Sequence, residues 1–184
     1  MPEAVDQIVK QAAQAQKERR LADAEHDWRA AIALLRQEPD GGALNKGALA
    51  QALRSLGEVK RKLRHPAAAV ECYQEAVSIY RKGCPPLILA HTIRHLGDVH
   101  CEADQPASAE PCYCEALELY RGSPDTPPLE LANAIRSMAV LKTGQGHRAE
   151  ARALWEEARD LYAQVQVTEG VSECTARLAS LAAR

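Results

Sequence analysis

The 184-residue chain sets 23 Lys and Arg against 25 Asp and Glu, a net charge of −2, so no overall field draws it to nucleic acid or to an anionic membrane. It is 46% hydrophobic yet has no Phe. It shows no alternating Val/Ile/Thr runs of the kind that make strands, and no apolar run approaching the ~20 residues that cross a bilayer. The opening Met1-Pro2-Glu3-Ala4-Val5-Asp6 lacks the basic and apolar regions of a signal peptide, which points to a cytoplasmic protein.

In chain order, one skeleton recurs four times: a small residue, alanine twelve positions on, an aromatic four later and alanine three later. The first unit, about residues 3–38, carries it as Ala12, Ala24, Trp28 and Ala31, and Pro39-Asp40-Gly41-Gly42 then breaks the chain. The second, about 44–83, has Gly57, Ala69, Tyr73 and Ala76, with an internal turn at Arg64-His65-Pro66. After Gly83-Cys84-Pro85-Pro86, the third unit, about 86–122, has Gly97, Ala109, Tyr113 and Ala116, and turns at Asp104-Gln105-Pro106. The linker Gly122-Ser123-Pro124-Asp125-Thr126-Pro127-Pro128 leads to the fourth, about 128–165, with Ala139, Ala151, Trp155 and Ala158 and a turn at Gly144-Gln145-Gly146-His147. In each linker glycine or proline stops a helix before the next restarts, prolines fitting the first helical turn. From about 169 to 183, Cys174, Leu178 and Leu181 fall at helical spacing and predict a closing helix.

Self-similarity at a period of a few tens of residues predicts an all-α fold. The expected form is a right-handed α-solenoid of stacked antiparallel helical hairpins, forming one domain over residues 1–184. Helices A and B of a hairpin approach to roughly 8–10 Å only where side chains are small, so Gly57 with Ala69 and Gly97 with Ala109 mark the crossings. The aromatic fills the wedge toward the neighbouring hairpin. A second aromatic lies seven positions later at Tyr80, Tyr120 and Tyr162, with Leu35 in the first unit. No hairpin covers its own apolar face, so the units share one continuous core.

Leu56-Gly57 and Leu96-Gly97, each followed by the alanine–aromatic–alanine series, resemble the tetratricopeptide repeat. Met138-Ala139 is a near match and Gln11-Ala12 departs from it; Lys60, His100 and Lys142 replace the usual aromatic near the end of helix A. Successive aromatics are 45, 40 and 42 residues apart, longer than the ~34 of the common repeat. That spacing resembles the long-repeat branch seen in kinesin light chains, as do Leu49-Ala50, Leu89-Ala90 and Leu131-Ala132. The resemblance implies a non-catalytic scaffold, without a cofactor, that binds a protein or peptide in a concave groove lined by the A helices. It leaves the partner and the oligomeric state open. A structural self-association module of a larger assembly is the alternative.

No phosphate loop, Gly-x-Ser-x-Gly or His-Glu-x-x-His pattern suggests an enzyme. The six cysteines, without a Cys-x-x-Cys pair, read as reduced small apolar residues. The basic run Lys60-Arg61-Lys62-Leu63-Arg64-His65 reads as a solvated helix end that complements the helix dipole. His91, His95 and Asp98 share one helical stripe and offer a further alternative, a divalent metal site.

The groove supplies the candidate ligand-binding residues. Three positions before Gly57, Gly97 and Ala139 stand Arg54, Arg94 and Arg136, and three before those stand Gln51, His91 and Asn133. A polar donor and an arginine thus recur in three stacked helices, flanked by Glu58, His95 and Asp98, and guanidinium groups suit an acidic peptide or a carboxylate. Equally, Glu58 and Asp98 lie four residues after Arg54 and Arg94 and can form local ion pairs with them. Val140 follows Arg136, which makes Arg136 the least neutralised of the three.

Overall fold

Prolines open four of the helices, Pro66, Pro86, Pro106 and Pro128, where the missing N–H has no partner to lose. A computed structural model describes residues 3–37 and 42–183. It contains α1 (Glu3–Lys17), α2 (Leu21–Arg36), α3 (Gly42–Lys62), α4 (Pro66–Tyr80), α5 (Pro86–Glu102), α6 (Pro106–Arg121), α7 (Pro128–Gly144), α8 (Arg148–Gln164) and α9 (Thr168–Ala182). No strand occurs among the described residues. Each helix packs on the next in the chain, and α5 also reaches α7, so the hairpins stack as an all-α solenoid. The first linker, Pro39 to Gly41, lies outside the described residues.

The tight turns share one hydrogen-bond pattern. After α1, α3, α5 and α8 the chain turns at Arg19, Arg64, Asp104 and Gln166, with φ of 60°, 62°, 57° and 59°. After α7 it turns at Gly146, with φ of 78°. In each, the following N–H donates to a carbonyl five residues back: Arg20 to Ala15, His65 to Lys60, Gln105 to His100, His147 to Lys142 and Val167 to Tyr162, at 2.9–3.0 Å. This Schellman closure satisfies carbonyls that a helix end leaves bare. Four of the five left-handed positions are not glycine, so they carry a steric cost that the closure offsets.

Inside each hairpin the aromatic of helix B lies on the small residue of helix A. A methyl group added at Gly57 would stand 3.0 Å from the Tyr73 ring, and one at Gly97 only 2.7 Å from that of Tyr113. The ring therefore occupies the hairpin's own crossing as well as the wedge to the next unit, where Tyr73 clusters with Leu96 and Val99 of α5. The outer units pair Trp28 and Trp155 with Ala12 and Ala139, and there the indole N–H donates to a helix-A side chain, Gln16 Oε1 or Thr143 Oγ1, each at 3.0 Å. At the C-terminal end Tyr162 packs over Gly170. Cys174 is fully buried, and Val171, Leu178 and Leu181 complete the cover over the last hairpin. All six cysteines are unpaired thiols.

Ion pairs tie successive B helices together on the opposite face. Arg36 reaches Glu75 at 2.6 Å, Arg81 reaches Glu115 at 2.7 Å and Arg121 reaches Glu157 at 2.9 Å. The arginine stands eight residues after its unit's aromatic, and the glutamate two after the next one. The register ends at both sides of the array, since Ala30 replaces the first glutamate and Ala163 the last arginine. The polar residues three positions after the small residue of helix A also bridge units. Lys60 pairs with Glu25 of α2 and Lys142 with Glu110 of α6, both at 2.7 Å or less. In the third unit the matching α4 residue is Val70, and His100 instead contacts Gln105 at 2.9 Å.

Candidate functional site

The groove face of α3, α5 and α7 brings most of the sequence-derived site residues together, with the centre on α5. Asp98 is the hub. Its Oδ1 accepts hydrogen bonds from Tyr113 Oη of α6 and Ser137 Oγ of α7, both at 3.0 Å. Its Oδ2 accepts from Arg94 at 3.2 Å and faces His95 Nδ1 at 3.1 Å. Burial disfavours the charged carboxylate, but the hydrogen bond from His95, the charges of Arg94 and His95 and the Tyr113 hydroxyl outweigh it and hold the pKa at about 2. The same burial lowers the pKa of His95, with Arg94 reinforcing the shift and Asp98 opposing it. Burial and the Asp98 charge push the Tyr113 phenol upward, so it stays a donor.

From the hub, contacts run along α5 and across to α7. His95 Nε2 lies 3.0 Å from Arg94 Nη2 and 3.2 Å from His91 Nε2, with the two imidazoles edge to face. His91 Nδ1 faces Glu130 Oε2 of α7 at 3.2 Å, and Tyr120 Oη donates to the same oxygen at 3.5 Å. His91, His95 and Asp98 are thus adjacent, but as links in a hydrogen-bonded relay with the Arg94 guanidinium inside it. A cation placed among them would meet that fixed positive charge. Among the described residues no group of three His, Cys, Asp or Glu is disposed to hold a metal ion. The relay therefore replaces the metal reading of this trio.

The three arginines differ in ways their spacing conceals. Arg94 is buried and paired with Asp98, the local pairing that the sequence allowed. Arg136 is not the least neutralised of the three. Glu173 of α9 forks onto it, accepting from Nε at 2.7 Å and from Nη2 at 2.8 Å. Arg54 does not take Glu58 as its partner. Glu58 pairs with Lys62 at 2.7 Å and accepts from Gln16 Nε2 at 2.9 Å, drawn toward the helix end and α1. Arg54 makes no ion pair among the described residues, and its Nε is buried without a hydrogen-bond acceptor. The donor stripe is equally uneven. Asn133 accepts from Tyr162 Oη at 2.8 Å, His91 is held in the relay, and Gln51 is exposed. The basic run at the end of α3 is paired rather than merely solvated: Lys60 with Glu25, Arg61 with Glu102 and Lys62 with Glu58.

Glu130, Ser137 and Glu173 complete this site and were not singled out from the sequence, and Tyr113 was read there as a packing aromatic only. Glu130 lies three residues before Asn133, one helical turn beyond the stripe as first drawn, and Ser137 matches His95 in the repeat register. Glu173 had no comparable signal, because α9 is not part of a repeat. Three recesses open along this face: one of about 610 Å³ beside Arg61, Arg64 and His95, one of about 400 Å³ beside Arg54, and one of about 420 Å³ beside Arg136. No described helix is long and apolar enough to cross a membrane.

Residues 49–85, most of α3 with α4 and the linker that follows, match the tetratricopeptide repeat family model. No curated protein matches the sequence. Among solved structures the chain is similar to BtubC (BKLC) from P. vanneervenii, at 18% identity and a TM-score of 0.71, over 97% of this chain and 80% of that one. It is also similar to aspartyl phosphate phosphatase F from Bacillus subtilis, at 15% identity and a TM-score of 0.82, over 94% of this chain and 44% of that one. It thus spans under half the length of the phosphatase. At these identities the likeness is one of fold.

Proposed function

We propose that this tetratricopeptide-repeat protein is a non-catalytic scaffold that binds a protein segment or peptide along the groove of α3, α5 and α7, with an acidic group as the preferred contact. The observation that carries the reading is the difference in matching of charge between faces. On the B-helix face each ladder arginine already holds a glutamate of the next unit, whereas the groove keeps one arginine, Arg54, without an anion among the described residues. Recognition needs polar groups that are positioned but not yet satisfied, and recesses of several hundred Å³ beside them. Acid–base chemistry is a poor fit to the relay, because Asp98 already engages Arg94, His95, Tyr113 and Ser137, and these contacts hold its carboxyl well below the usual carboxylate range.

The test uses an array of random-sequence decapeptides probed with the intact chain, followed by hydrogen exchange with the best-bound peptide. Protection concentrated on α3, α5 and α7 supports the proposal. Protection concentrated on α4, α6 and α8, or an array with no selective binding, refutes it.

A further inference from the structure

Hydrogen-bond directions along the relay fix where its protons sit. The Arg94 guanidinium only donates, so His95 Nε2, 3.0 Å from Arg94 Nη2, must present its lone pair. His95 is therefore neutral, with its proton on Nδ1, which donates to Asp98 Oδ2 at 3.1 Å. Burial, which lowers the His95 pKa, favours the same neutral form. His91 Nε2, 3.2 Å from that lone pair, must then donate to it. On its other side His91 Nδ1 stands 3.2 Å from Glu130 Oε2, a carboxylate that this contact holds below the usual range and that already accepts from Tyr120. A neutral His91 has one N–H for these two acceptors. With the proton on Nε2 it sets a bare lone pair against Glu130, and with the proton on Nδ1 it sets one against His95. Only the doubly protonated imidazolium satisfies both neighbours.

We infer that His91 and Glu130 form a proton-operated latch between the third and fourth units, closed while His91 is an imidazolium and open once it is neutral. The latch joins α5 to α7 toward their N-terminal ends, whereas the Ser137–Asp98 hydrogen bond that joins the same helices further along needs no added proton. The two side chains are 30% and 34% exposed, so Glu130 can turn out to water when the bond is lost. Across the recesses on either side, His91 faces Arg54, Glu58, Arg61 and Lys62 of α3, Arg64 of the turn, Tyr80 of α4, Glu102 of α5 and Tyr120 of α6. Glu58 is paired with Lys62 and Glu102 with Arg61, which leaves Glu130 as the acid that meets the imidazole. Tyr73 of α4 stacks on His95 and, as a phenol, adds no charge. Closed, the pair carries no net charge; open, it leaves the Glu130 charge bare in the recess beside Arg54. Nothing in the latch depends on what the groove binds.

The test is a double-mutant cycle in the full chain, with His91→Ala, Glu130→Ala and the two together. Urea unfolding is followed at about pH 5.5 and at about pH 8, on either side of the ordinary imidazole titration. The cycle cancels pH effects that arise elsewhere, those of His95 included. At the acid end the pair is expected to favour the folded state by about two- to fivefold in the unfolding equilibrium constant, as for a partly exposed ion pair. At the alkaline end the coupling should vanish or turn repulsive. A coupling that is equal at both ends, absent at both or larger at the alkaline end would overturn the latch. A second measurement needs no substitution: long-range proton–nitrogen NMR of the histidine rings in the wild type. His95 should carry its proton on Nδ1 at both ends, and His91 should show two protonated ring nitrogens at about pH 5.5. A His95 proton on Nε2, or a His91 ring that keeps a bare nitrogen at the acid end, would equally overturn it.

Discussion

The two faces of this solenoid use the same residue types to opposite ends. On the B-helix side Arg36, Arg81 and Arg121 repeat in register, and each meets a glutamate one unit further on at the surface. On the groove side Arg54, Arg94 and Arg136 repeat in register too, yet one has no ion pair among the described residues, one is buried against Asp98 and one is held by the closing helix. A periodic sequence therefore does not produce a periodic surface unless the partners are periodic as well. The ladder glutamates recur with the aromatic; the groove acids do not, because Glu58, Asp98 and Val140 occupy one register position with different chemistry. Regular pairing links successive units at the surface, and irregular pairing leaves Arg54 without an ion pair among the described residues.

The contrast is sharpest where burial differs. Asp98→Ala would remove a carboxylate that joins α5, α6 and α7, and would leave the Arg94 charge buried without its counterion. The expected loss is about 3–5 kcal/mol in urea unfolding, and a loss below about 1 kcal/mol would show that the hub is not structural. Acid should reproduce part of this. The depressed Asp98 contributes stability at any pH above the unfolded value of 3.8, and that contribution disappears as pH falls toward about 2. The amount is about 2 kcal/mol. His95 acts in the same direction at higher pH. Its folded pKa lies below the ordinary 6.5, so the unfolded chain takes up a proton first and stability declines as pH drops through that value. Melting temperatures between pH 7 and pH 5 check this, and His95→Gln should flatten the profile. On the other face the effect should be small. Arg81→Ala cuts one exposed rung, and the expected change is a few tenths of a kcal/mol.

The repeat was legible because packing imposes it. A ring can lie on helix A only where the residue beneath is glycine or alanine, so Gly57 under Tyr73 and Gly97 under Tyr113 appear in the sequence as a fixed spacing. The turn at Gly146 was legible for a similar backbone reason. The turn at Gln166 was not, since a non-glycine residue holds the left-handed conformation and no proline follows. The groove was legible as a set of positions and not as a set of contacts. Arg94 with Asp98 follows from helical spacing alone. Arg136 with Glu173 spans 37 residues and depends on where the closing helix docks. Glu58 lies four residues from both Arg54 and Lys62 and bonds to Lys62, a choice that spacing leaves open, and Gln16 of α1, 42 residues away, adds a further contact.

The central claim is that the unmatched cation of the groove, and not the matched cations of the B-helix ladder, makes the binding contact. The most direct measurement is the affinity of one array-selected acidic peptide for the wild type, Arg54→Ala and Arg81→Ala, at two salt concentrations. The account predicts a roughly ten- to hundredfold loss for Arg54→Ala, with a weaker salt dependence, and no change for Arg81→Ala. Equal affinities for all three proteins, or a larger loss for Arg81→Ala, would contradict it.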